Sequence, residues 1–106
     1  MKTGDLEPPW IVDISDAGAQ ADLNTVQDWR FVASLNNVVV FTDTDPDVVV
    51  DTTHTYKAAI THSWVSGETA NDGTLRAEVV AVWPGGREQT FPGEGHATLR
   101  IEPSYD

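Results

Sequence analysis

Three histidines, His54, His62 and His96, are the side chains best suited to proton transfer or metal ligation near neutral pH. His54 and His62 share strand parity but stand eight residues apart. On an extended chain that is about 26 Å, too far to bind one ion. His96 could join either only through a contact made by folding. All three are therefore expected at the surface or rim. Asp43, Asp45 and Asp47 have the D-x-D-x-D spacing that opens a calcium loop. The position that needs glycine is Val48, however, and the one that needs a bidentate glutamate is His54. The acidic triplet reads instead as a solvated turn beside Pro46. A hydrolytic triad from Ser63 or Ser66 with His62 and Asp72 fails on geometry, because adjacent strand residues point to opposite faces. No nucleophile elbow, phosphate loop or dinucleotide pattern occurs, and nothing singles out a carboxylate pair among the 17 acids. The expectation is a protein that is not an enzyme, with no catalytic, cofactor-binding or metal residues and no cofactor.

Tryptophan is the remaining candidate, since its ring stacks on sugars. Trp29, Trp64 and Trp83 fall on core-facing parity. Trp10, beside Pro8 and Pro9, is the one candidate for exposure, and a place in the core is favoured over a glycan platform for the tryptophans.

These side chains must be held by strands. The chain has 13 Val, 4 Ile and 12 Thr against 5 Leu, and β-branched residues suit a pleated, half-buried surface. No window keeps a 3.6-residue apolar period. Strands are expected over 10–16, 26–35, 38–42, 48–52, 54–64, 74–83, 87–91 and 96–101, with 23–25 as a short re-entering segment. The wrong parity of Val26 suggests a bulge near Gln27 and Asp28. Asp16-Ala17-Gly18, Asn36-Asn37, residues 43–46, the loop 66–73, a two-residue Gly85-Gly86 hairpin and residues 92–95 supply the turns. Tyr56, Ala58, Ile60, His62 and Trp64 share one face, as do Leu75, Ala77, Val79, Ala81 and Trp83. Seven or eight short strands with turns every 8–12 residues predict an all-β antiparallel sandwich.

The chain has 106 residues and a formal net charge of −11, enough for one domain over 1–106. Such acidity argues against nucleic acid and against anionic membrane surfaces as partners. No cysteine is present, which excludes disulfides and thiolate metal sites. Asp5, Glu7, Pro8 and Pro9 do not suit an export signal. The longest apolar run, Val79 to Trp83, is far too short to span a membrane. The arm 1–9 and the tail 102–106 are polar and are expected to order on a partner rather than in the core.

Three stretches resemble the immunoglobulin-like N-terminal domain of phage baseplate upper proteins and related small phage tail proteins. Gly4-Asp5-Leu6-Glu7-Pro8-Pro9, leading into Ile11-Val12-Asp13-Ile14, is similar to that family's G-D-x-x-P-P segment. Asp22-Leu23-Asn24-Thr25-Val26, ahead of Phe31, is similar to its D-L-T-G-A-x-V. Asp72-Gly73-Thr74-Leu75-Arg76-Ala77-Glu78-Val79 is similar to A-G-x-Y-x-A-E-[VF]. It continues through Trp83-Pro84-Gly85-Gly86-Arg87-Glu88-Gln89-Thr90-Phe91-Pro92, like Y-x-D-G-x-x-x-T-F-P. Leu75 stands where an aromatic is usual and Gly85 where an acidic turn residue is usual, and residues 36–56 show little similarity. The resemblance implies an immunoglobulin-like sandwich and a non-enzymatic virion structural protein, a tail or baseplate connector or minor tail component. It would be assembled in the host cytoplasm, in multiple copies of a symmetric assembly, with other phage virion proteins as partners. In the family this domain often heads a longer protein; a chain that is nearly all domain is expected to lack a receptor-binding portion. A capsid decoration or head–tail joining protein, and a glycan-binding immunoglobulin-like module, are alternatives that share the fold.

Overall fold

Alternating apolar residues in short β-branched segments produce strands with one buried face, and eight such strands pack here as two antiparallel sheets. A computed structural model of the chain describes residues 1–15, 22–92 and 98–103. The strands are β1 (Trp10–Ser15), β2 (Asp28–Leu35), β3 (Val38–Asp43), β4 (Asp47–Val50), β5 (Lys57–His62), β6 (Gly73–Val82), β7 (Glu88–Pro92) and β8 (Thr98–Ile101). One sheet has the order β1-β5-β4. The other runs β3-β2-β6-β7, with β8 also paired to β6. This is the B-E-D and C′-C-F-G order of an immunoglobulin-like sandwich. No α-helix occurs among the described residues.

The core lies between the sheets. Trp10, Val12 and Ile14 of β1 and Ala58 and Ile60 of β5 face Phe31 and Ala33 of β2 and Leu75, Ala77, Val79 and Ala81 of β6. Alanines at the inward positions of the central strands leave room for large rings from the facing sheet, so the interior fills without overpacking. β6 alternates inward and outward along its length, as its sequence predicts, and the outward Val80 and Val82 are half-buried.

Local chemistry sets the element ends. Asn36 and Asn37 both take positive φ, 53° and 66°, and close the β2–β3 hairpin. This is the mirror-image turn whose twist suits paired strands. The β6–β7 turn has three residues rather than the two expected. Pro84 is followed by Gly85 at φ 89° and Gly86 at φ 80°, while the Trp83 and Arg87 backbones still pair. Proline at the second turn position and positive-φ glycine at the third is a type II arrangement.

Other boundaries moved. Residues Leu23–Thr25 form a 3₁₀ turn whose Asp22 side chain accepts from the Asn24 amide. Buried Leu23 anchors this turn. Val26 lies outside β2, and the bulge falls not at Gln27 and Asp28 but in the pairing of β2 with β3. There Ala33 meets Phe41 and Ser34 meets Val39, leaving Val40 over. β5 starts at Lys57 rather than 54, because Asp51 Oδ1 accepts from the Thr53 and His54 amides and ties 51–54 into a side-chain-capped turn. The expected turns at 16–18 and 92–95, and His96 itself, lie wholly or mainly outside the described residues.

The N-terminal arm is docked, contrary to the expectation that it needs a partner to order. The Thr3 amide donates to the Glu102 carbonyl and the Glu102 amide to the Met1 carbonyl. Lys2 and Glu102 also form an isolated parallel bridge, with an exposed ion pair of 3.3 Å. Backbone pairing outweighs the polar composition of the arm.

Candidate functional site

His62 is the most deeply buried ionisable side chain among the described residues, at 2% exposure. This overturns its assignment to the surface. Its parity with Ala58 and Ile60 already aims it inward, and the last position of β5 sets it between the sheets. The imidazole stacks on Phe41 with centroids 4.5 Å apart and on Phe31 at 5.4 Å, and Trp64 meets it edge-on at 5.3 Å. Phe31 and Phe41 come from the opposite sheet, so the ring bridges the two layers.

Both ring nitrogens meet carboxylates. Nδ1 lies 2.7 Å from Asp43 Oδ2, and Nε2 lies 2.8 Å from Glu68 Oε1. Asp43 shares parity with Phe41 and pairs with Phe31, which turns its side chain inward at the end of β3. Glu68 comes from the turn after Trp64, where its Oε1 also accepts from the Val65 amide at 2.7 Å. Each ring nitrogen is thus in hydrogen-bond contact with one carboxylate oxygen, and hydrogen bonds with a charged partner are stronger than neutral ones. The nitrogens point to opposite edges, so they do not converge on a point where a metal could sit. Among the described residues no group of three or more His, Asp or Glu is suited to hold one.

The same turn fixes the arm. Thr69, buried to 1% exposure, donates from its hydroxyl to the Asp5 carbonyl at 2.9 Å, and its backbone carbonyl accepts from the Gly4 amide at 3.0 Å. Trp64 Nε1 donates to the Pro8 carbonyl at 2.9 Å. A continuous set of polar contacts thus runs from β3 through His62 and Glu68 to Thr69 and the arm. Its chemistry is that of a clasp joining two sheets, a turn and the N-terminus. Among the described residues both His62 nitrogens face carboxylates rather than a hydroxyl.

The other candidates are dispersed. Asp43 Oδ1 accepts from the Asp45 amide at 2.9 Å, so both of its oxygens are engaged, while Asp45 and Asp47 are exposed. His54 is exposed and tilts against Tyr56. Ser63, Ser66 and Asp72 are exposed and do not join His62. Trp64 and Trp83 are buried as expected. Trp10 is not exposed: it is buried at 5%, shares inward parity with Val12 and Ile14, stacks on Trp64 at 5.8 Å and meets Phe31 edge-on at 5.2 Å. Trp29 keeps inward parity but is only half-buried, at the opposite end of its strand. It lines an open hollow with Asp28, Arg30, Thr44, Val82 and Glu88.

Asp51 is held by its own turn. The His54 amide bond, and then that from Thr53, holds its carboxyl below the ordinary value. The inward parity of His62 was visible in the sequence; its two carboxylate partners were not, since each comes from a separate segment. Compared with protein families, curated proteins and solved structures, the chain has no significant match in any of the three.

Proposed function

We propose that this protein is a non-enzymatic structural subunit of a phage virion, a connector or minor component of the tail or baseplate that works with other virion proteins. The observation that carries the reading is where the three family-like stretches fall in the sandwich. The G-D-x-x-P-P stretch is the arm held by Thr69 and Trp64. The stretch beginning at Asp22 is the capped 3₁₀ turn with buried Leu23. The third stretch is the central strand β6, its type II turn and β7. Each is a frame position, and none supplies a reacting group. The buried polar cluster supports the same reading, since its hydrogen bonds join segments of the chain and leave the imidazole no open nitrogen.

The test is immunogold labelling of purified particles of the phage that encodes the chain. Label at the tail or baseplate, repeated around its axis, is expected. Label on the capsid, or absence of the protein from purified particles, overturns the proposal.

A further inference from the structure

We propose that the outer edge of β3 is a docking site for an extended, basic segment of a partner protein, which adds to the sheet as a further strand. β3 pairs with β2 on one side and has no strand partner on the other among the described residues. Its first four residues are Val38-Val39-Val40-Phe41, and the three valines are 65%, 58% and 44% exposed. An apolar edge without a charge is a template for another strand unless something blunts it. The neighbouring edges are blunted. β4 has four residues, opens on Asp47 and is followed by Asp51. β7 opens on Glu88 and Gln89 and closes on Pro92. The end of β8 is met by the arm at Lys2 and Glu102. β3 carries no charge before Asp43.

The charge of this side selects the occupant. Between Arg30 and Lys57 the chain holds no lysine or arginine, and of its four aspartates there Asp43 is engaged by His62 and Asp51 caps a turn, which leaves Asp45 and Asp47 to meet a partner. Asp45 and Asp47 are exposed just beyond the strand. A second copy would bring another net charge of −11 to the same place. A segment alternating aliphatic residues with lysine or arginine meets both demands. Its backbone pairs with β3, its aliphatic side chains cover the valines, and its cations meet the aspartates.

The probe is a ten-residue peptide alternating valine and lysine, compared with one alternating valine and glutamate. Binding is followed by amide chemical shifts of the isotope-labelled full chain. The lysine peptide is expected to bind about tenfold or more tighter than the glutamate peptide and to weaken as salt rises. Shifts and slowed amide exchange should centre on Val38 to Thr42. Val39→Lys with Val40→Lys alters exposed side chains only and should cut binding about tenfold with the melting temperature retained. Should that variant melt early, Val38→Lys alone serves the same comparison. No binding of the lysine peptide, equal binding of both peptides, shifts centred elsewhere, or a dimer whose interface maps to β3 would each overturn the inference. It stands on the edge itself and not on the virion reading, so its failure leaves the labelling experiment untouched.

Discussion

Replacing His62 with leucine removes both hydrogen bonds of the clasp while keeping an apolar side chain of similar bulk against Phe31 and Phe41. A hydrogen bond to a charged group contributes about 1.5–3 kcal/mol. The Asp43 and Glu68 side chains are 20% and 17% exposed, so water recovers part of what each carboxylate loses. The low end of that range therefore applies to each bond, and the expected cost of His62→Leu is about 3 kcal/mol. For a domain of this size that lowers the melting temperature by about 10–15 °C. The assay is thermal and urea unfolding of His62→Leu, Asp43→Asn, Glu68→Gln and their combinations. Adding Asp43→Asn and Glu68→Gln to the leucine variant should restore part of the loss, because no ionised carboxylate then faces an apolar neighbour. Amide exchange at Gly4 should accelerate in the leucine variant, since the turn that carries Thr69 loses its tie to β5 and keeps only the local Glu68–Val65 contacts. A leucine variant melting within about 2 °C of the parent, or unchanged exchange at Gly4, would refute the clasp.

Burial ranks the tryptophans: Trp10→Ala and Trp83→Ala are each expected to cost about 3–5 kcal/mol, and the half-buried Trp29→Ala roughly 1–2 kcal/mol, measured by urea denaturation; equal costs would contradict the core as described. Gly73 has φ 137°, and a Cβ there would stand 2.7 Å from Leu35 Cδ1. Gly73→Ala should therefore destabilise by about 1–3 kcal/mol. Leu35→Ala should relieve the contact part of that cost in a double-mutant cycle. The depressed Asp51 carboxyl gives stability that is present above its unfolded value of 3.8 and is lost as pH falls through the lower folded value. Asp51→Asn should accordingly flatten the acid limb of the melting profile below that pH and leave its shape at neutral pH unchanged.

Short-range pattern carries most of the strands and their faces. The parity of Leu75, Ala77, Val79 and Ala81 placed one side of β6 in the core, because successive strand side chains alternate whatever lies opposite. Asn36-Asn37 marked a hairpin because both residues tolerate positive φ. What failed did so where a distant segment decides the outcome. Trp10 was a candidate for exposure from its proline neighbours, yet Phe31 and Trp64 close around it. His62 looked like a rim residue, yet Asp43 from the other sheet and Glu68 from a turn supply the partners that let a polar ring stay inside. The arm looked free because it is polar, yet Glu102 and Thr69 offer its backbone the bonds that composition does not reveal. Strand identity and facing are local properties of alternation and turn chemistry. The burial of a polar side chain, and the fate of a terminus, depend on which remote groups arrive beside them, and only the packing of the two sheets decides that.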